Sequence, residues 1–215
     1  VIEIIKRLFC GNKKDYSEID CLRYEEEKVK RKKMEINKKS EKILYDFINT
    51  DGKYAWKGKP WGHLVKEFII DDVSYYLIKK EEDAYESIYI INYDTASLYK
   101  HGTGTASHLP FVEWSIEEEN NNFKVDRTLK INEIHTFEFQ NRGLGTILIQ
   151  SLIKVAEDRK CVRIVGSLSS IDIVENDDVT IDKNKQAHRQ HFYEKNGFIV
   201  KEDDKGNGLV SRETI

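Results

Sequence analysis

A short turn, Gln140-Asn141-Arg142-Gly143-Leu144-Gly145, separates a strand-like run that starts at Leu129 and reaches Phe139 from an amphipathic run that extends from Leu144 to Asp158. This stretch limits the fold more than any other in the chain. A turn in that setting sits at a helix N-terminus, where the first peptide N–H groups have no intrahelical partner and the helix dipole adds partial positive charge. Such an end is suited to hold phosphate. Gly143 and Gly145 allow an anion to approach the backbone with no Cβ in its way.

Further along, Phe192-Tyr193-Glu194-Lys195-Asn196-Gly197-Phe198 closes a second helical run. The Gln-x-x-Gly-x-Gly turn between strand and helix, followed by this Phe-Tyr-x-x-x-Gly-Phe segment, resembles the GNAT superfamily of acyl-CoA-dependent N-acetyltransferases. The resemblance spans Leu129 to Ile199. It implies that the turn cradles the coenzyme A pyrophosphate, through Gln140 and through the backbone of Asn141, Arg142, Gly143, Leu144, Gly145 and Thr146. It also implies that the pantetheine arm pairs with the strand backbone at Glu133, Ile134 and His135. Gln186 stands where the family has an asparagine, seven residues before the tyrosine, and Asn184 is the other candidate for that pantetheine contact.

Gly143-Leu144-Gly145 also shares part of its spacing with dinucleotide folds. Those place their glycine turn in the first strand–helix unit of an alternating series, with an acidic residue further on. Here the turn comes late, after strands joined by short polar turns, which favours coenzyme A.

The 215 residues suffice for one sizeable domain and an appendage. Hydrophobic residues make up 39% of the chain, enough for a buried core. The formal charge of -3 argues against wholesale affinity for nucleic acid. No apolar run reaches the length of a membrane span. Cys10, Cys21 and Cys161 have no CxxC spacing, so neither a disulfide framework nor a metal site is expected. The opening Val1 to Cys10 carries Glu3, Lys6 and Arg7 and does not read as a signal peptide, which points to a cytoplasmic protein.

From Tyr16 to Asn49 the chain has neither Gly nor Pro and is dense in Glu and Lys, so it reads as one or two helices with Ser17 or Ser40 as N-caps. Ile36, Ile43, Leu44 and Phe47 recur at helical spacing and would dock it. The block Lys28 to Lys33 reads as a solvated face, with a contact to an acidic partner or nucleic acid as the sharper alternative. Turn residues from Thr50 to Gly62 mark a boundary, giving a helical extension over 1–50 and the main domain over 51–215. Trp56 and Trp61 in that turn region are expected to fasten a loop to the core.

Strands are expected at Lys66–Asp71, Val73–Lys80, Ser87–Tyr93, Leu109–Ile116 and Lys124–Phe137, joined as antiparallel meanders. GNAT domains usually place two helices between their first two strands, and no such pair is evident between Lys53 and Ser87. Either the N-terminal helical region takes that role, after a first strand near Ile2 to Phe9, or the acceptor side is built differently. His101 to Thr105 reads as a flexible loop, as does the acidic stretch Ser167 to Lys183. The helix from Leu144 should bury Leu144, Ile147, Leu148, Leu152, Val155 and Ala156. Cys161 to Gly166 should then form a strand parallel to the one before the turn.

Acetyl transfer from a thioester expels a thiolate and needs a deprotonated amine. Tyr193 is the candidate proton donor to the leaving sulfur. Packing of its ring as a core aromatic is the plainer alternative. Glu133 and His135 share one strand face by period-two alternation and are the candidate bases, Glu133 first. His188 and His191 read as surface or packing residues.

The expected fold is therefore α/β of the GNAT type, a mixed, mostly antiparallel sheet with a splayed parallel strand pair, flanking helices and an N-terminal helical extension. The expected function is transfer from acetyl-CoA to an amine acceptor in a ternary complex, by a monomer or homodimer. A catalytically silent module that binds an acyl-CoA or a partner protein is the other reading.

Overall fold

The computed structural model describes residues 18–55, 57–81, 85–97, 109–121, 124–169, 182–205 and 207–214. The readings placed on 2–9, Cys10, Ser17, Trp56, 101–105 and most of the 167–183 connection lie outside these residues.

Helix α1, Glu18–Ile48, is continuous, so the N-terminal helical region is one helix rather than two. The chain then forms β1 (His63–Ile70), β2 (Val73–Glu81), β3 (Glu86–Ile91) and a short helix α2 (Tyr93–Ser97). Strands β4 (Phe111–Asn121) and β5 (Lys124–His135) follow, then helix α3 (Leu144–Asp158) and β6 (Arg163–Leu168). Helix α4 (Lys183–Lys195), β7 (Ile199–Glu202) and β8 (Gly208–Glu213) complete it. The strands make one sheet in the order β1-β2-β3-β4-β5-β6-β8-β7. All neighbours are antiparallel except β5 and β6, as the α3 crossover between them requires. Among the described residues no helix is long and apolar enough to cross a membrane.

Helices lie on both faces of the sheet. Leu77, Ile88, Ile90, Val112, Trp114, Leu129, Ile131 and Ile164 pack with α3, Tyr193 and Phe198 in one core. Tyr76, Ile78, Tyr89 and Ile91 point the other way and pack with Phe47 of α1. Within α3 the buried positions include Ile149 and Ile153, while Ile147 and Val155 are only partly buried. The stripe is thus rotated from the expected one, toward the Ile149–Ile153 side of the helix. Trp61 fastens the loop before β1, its ring edge-on to Phe47 at 4.9 Å and to Tyr89 at 4.7 Å.

The C-terminal part of α1 is tied down by polar contacts as well. Asp71 and Asp72 both have positive φ, 50° and 63°, which closes β1 and β2 by a tight two-residue hairpin turn. Asn37 grips that turn, donating to the Asp72 carbonyl at 3.0 Å and accepting from Ser74 N at 2.9 Å. Lys33 pairs with the Asp72 carboxylate at 3.1 Å. In the basic block, Lys28 and Arg31 pair with Glu25 and Glu27 on the same exposed helix.

Ser40 does not cap a helix. It sits mid-helix and fully buried, donating to the Ile36 carbonyl at 2.8 Å and accepting from Tyr93 N at 2.9 Å. This bond joins α1 to α2. Ser40→Ala would leave the Tyr93 amide without its acceptor, at a cost of about 1–3 kcal/mol. Urea denaturation should show a lowered midpoint with the slope unchanged, and an unaltered midpoint would mean that the bond contributes nothing.

Candidate active site

Strands β5 and β6 are paired through four positions only, from Thr128 opposite Arg163 to Ile131 opposite Gly166. Beyond Ile131, β5 continues to His135 against β4 alone, while β6 continues to Leu168 against β8 alone. The two strands therefore part in the middle of the sheet. A cleft of about 880 Å³ opens there, walled by the parted strand ends, the 139–146 turn and α4.

The parting coincides with a β-bulge. Glu113 faces Glu133 across β4 and β5, but its neighbour Trp114 faces Ile131, which leaves Asn132 as an extra residue in β5. The bulge shifts the side-chain alternation by one. Ile131 and Ile134 both turn toward α3, while Glu133 and His135 turn to the opposite face. His135 Nε2 lies 3.4 Å from Glu133 Oε1. The His135 ring stacks on Phe137 at 5.2 Å and leans against Phe111 at 5.6 Å. Phe111 in turn stacks on Tyr89. An aromatic wall thus runs from the α1 side of the sheet to the mouth of the cleft.

At the turn, Asn141 and Gly143 have positive φ, 61° and 78°. Gly143 is the residue before the first turn of α3 and offers no side-chain cap, and that turn carries no acidic residue. The positive end of α3 is accordingly left uncompensated where Gly143, Leu144, Gly145 and Thr146 line the cleft. Gly145 is needed for a second reason. A Cβ there would stand 3.2 Å from the Phe192 ring, so its absence lets α4 close against the start of α3.

Helix α4 begins with Asp182, whose side chain accepts from the amides of Asn184 and Lys185. It ends at Gly197, φ 82°, where a side chain would collide with the Arg212 guanidinium that donates to the Asn196 carbonyl at 2.7 Å. Gln150 of α3 donates to Asn196 Oδ1 at 3.0 Å, and Asn196 donates to the Phe192 carbonyl at 2.7 Å. These bonds fix the last turn of α4 and with it Tyr193. The tyrosine is buried, 6% exposed, lies edge-on to Phe192 and Phe198, and lines the cleft.

Of the residues singled out in the sequence, Glu133, Ile134, His135, Gln140, Asn141, Gly143, Leu144, Gly145, Thr146 and Tyr193 all line this cleft. Arg142, Asn184 and Gln186 do not. The Arg142 guanidinium lies over the Phe139 ring at 5.2 Å and beside Tyr75, where its charge partly offsets the burial that pushes the Tyr75 phenol up. Gln186 donates instead to the Asp203 carbonyl, beyond the end of β7. His188 and His191, read as surface or packing residues, line the cleft, as do Arg189, Phe192 and Lys195. The signal for Arg189 was its place one helical turn before Tyr193, on the same face of α4.

Among the described residues no group of His, Cys, Asp and Glu is placed to hold a metal ion. Cys161 is buried, and that burial pushes its thiol up, against the opposing charges of Arg127 and Arg159. It does not line the cleft.

Residues 137–198 match the model of the acetyltransferase (GNAT) family. No curated protein matches the chain. Among solved structures the chain is similar to NAA60 of Arabidopsis thaliana, in complex with a bisubstrate analogue, at 14% identity over 60% of this chain and 75% of that one, with a TM-score of 0.38. It is also similar to the ribosomal-protein-S18-alanine N-acetyltransferase of Escherichia coli, at 12% identity over 62% and 72% of the two chains, with a TM-score of 0.35. Nourseothricin acetyltransferase matches at 12% identity over 71% and 84%, with a TM-score of 0.39. The residues that match the acetyltransferase (GNAT) family model, 137–198, are thus the ones that supply the turn, α3, β6 and α4 to the cleft.

Proposed function

We propose that the protein transfers an acetyl group from acetyl-CoA to a primary amine by direct attack, with both substrates bound at once. The observation that carries this reading is the uncapped, acid-free start of α3 opening into a cleft between two parted strands, with Tyr193 in the wall. Exposed amides at a helix start fit a diphosphate. Strand edges left without a neighbour fit an amide-bearing arm.

In this reading the amides of Leu144, Gly145 and Thr146, with Gln140 and the backbone at Asn141 and Gly143, hold the pyrophosphate. The β5 backbone from Glu133 to His135 holds the pantetheine. Bound there, acetyl-CoA supplies an acyl group activated as a thioester. Glu133, with His135 beside it, takes the proton that an ammonium must lose before its nitrogen can attack. A backbone N–H near His135 stabilises the oxyanion of the tetrahedral intermediate. As the C–S bond breaks, the Tyr193 hydroxyl gives its proton to the departing sulfur. No enzyme nucleophile is needed, in keeping with a buried Cys161 away from the cleft.

Acetyl-CoA at one hundred times its dissociation constant should stabilise the folded protein by about 2.7 kcal/mol, read as a rise in thermal midpoint. No shift with acetyl-CoA would refute the reading at its first step. Tyr193→Phe should lower kcat for thiol release against a responsive amine by about 100-fold, the usual scale for loss of a general acid. Its affinity for coenzyme A should stay close to that of the parent. Unchanged kcat in that variant would remove the tyrosine from the chemistry and leave a binding module.

Glu133→Gln should depress kcat/KM for the amine by about 100-fold, with part of the loss recovered at higher pH as the free amine becomes abundant. A rate that fell equally at all pH values would show that the carboxylate does not act as the base.

A further inference from the structure

We infer that Arg189 is a positioning residue that keeps the cleft open by holding the end of β6 away from β5. This rests on the acetyl-CoA reading only for what enters the cleft; the clamp itself is read from contacts. On α4, the Arg189 guanidinium reaches past the helix in two directions. Nη1 donates to the carbonyl of Ser169, directly after β6, at 2.6 Å. Nη2 pairs with Glu202 Oε1 at the end of β7. The pair is sheltered, with side-chain exposures of 12% for Arg189 and 5% for Glu202.

The sheet register explains why one side chain can tie both strand ends. Leu168 of β6, Gly208 of β8 and Glu202 of β7 stand in one cross-strand row. The middle member has no side chain, and a Cβ at 208 would lie 2.0 Å from the Lys201 carbonyl oxygen. Arg189 therefore spans the row over a glycine and binds β6 and β7 to the same helix. β6 has lost β5 as a neighbour after Gly166, and among the described residues its end pairs with β8 and is met by this guanidinium. Arg189 and Ser169 both line the cleft, on the wall across from β5. A planar fork with several donors can serve two acceptors at fixed angles, which an ammonium cannot do.

If the clamp sets the gap between the strands, its loss should affect a ligand that occupies the gap and spare one that needs only the turn. Calorimetric titration of the full chain with coenzyme A and with adenosine 3′,5′-bisphosphate, which lacks the pantetheine arm, separates the two. Arg189→Met should raise the Kd for coenzyme A by about tenfold, equivalent to about 1.4 kcal/mol, and leave that for the bisphosphate within about twofold. Arg189→Lys should fall short of restoring the parent affinity, and Glu202→Gln, which leaves the arginine in place, should shift coenzyme A binding in the same direction. Equal losses for both ligands, or no loss for either, overturn the inference.

Failure of the parent protein to bind either ligand would instead refute the acetyl-CoA reading. The clamp is then judged by amide hydrogen exchange alone. In Arg189→Met, exchange at Ser167–Ser169 should quicken by about tenfold or more relative to Leu129–Ile131, as expected for local opening. Unchanged exchange at Ser167–Ser169 overturns the clamp whatever the ligand proves to be.

Discussion

The backbone hydrogen bonds that β5 and β6 do not make with each other govern most of this structure. A strand inside a sheet normally spends every N–H and C=O on its two neighbours, and an unpaired group shut away from water costs as much as a lost bond. After Ile131 and Gly166 each strand keeps only its outer neighbour, so two strand edges face each other across open space in the middle of the sheet. Such edges persist only if they meet water or a ligand that can replace the missing strand. The cleft is thus the consequence of stopping one ladder early. The other features of the site either stop that ladder or line the gap it leaves.

The bulge at Asn132 stops it. One extra residue bends β5 and increases its local twist, which carries the remainder of the strand out of line with β6. The same residue decides which side chains turn to each face of the sheet. Without it, Glu133 would follow Ile131 onto the α3 face and be buried against that helix. With it, Ile134 takes the apolar place, and Glu133 and His135 emerge on the other face with side-chain exposures of 57% and 42%. Asn132 itself spans to β4, donating to Glu113 at 3.4 Å and accepting from Ser115 at 3.3 Å, which holds the bulged backbone to its neighbour.

Local signals in the chain foretold the elements more fully than their arrangement. The bounds of α3 follow from periodicity and from Gly143, and the β1–β2 turn follows from Asp71-Asp72. A single α1 was harder to foresee, since nothing in a charged run free of Gly and Pro says where tertiary contact begins. That depends on Asn37 and Ser40 finding Ser74 and Tyr93, more than thirty residues away in sequence. Strand β8 is not legible in the sequence because Gly208-Leu209-Val210-Ser211-Arg212-Glu213 is short and has a single fully buried apolar residue, Val210. Its insertion between β6 and β7 is a long-range event with no local mark. In the site, the motif located the turn and Tyr193. Arg189 lies outside that motif; helical spacing sets it on the Tyr193 face of α4, but its contacts depend on strand ends that only the folded sheet brings within reach.

The two faces of the sheet are covered by different helices. Helices α3 and α4 occupy one face and build one wall of the cleft. Helix α1 lies on the other face, over β1 to β3, and leaves the β4–β5 region bearing Glu133 and His135 partly exposed. The stack of Tyr89, Phe111, His135 and Phe137 crosses from the α1 core to that exposed region. A ring stack is stiffer than aliphatic packing because each ring has few torsions to lose and flat contacts on both sides. It can therefore hold the His135 imidazole in one orientation next to Glu133 while one side of the pair stays open to solvent. Phe137 enters the stack with φ at 46°, a left-handed conformation uncommon for a bulky side chain. The turn accepts that conformation at the point where β5 must end, place an aromatic ring beside His135 and deliver the chain to the start of α3.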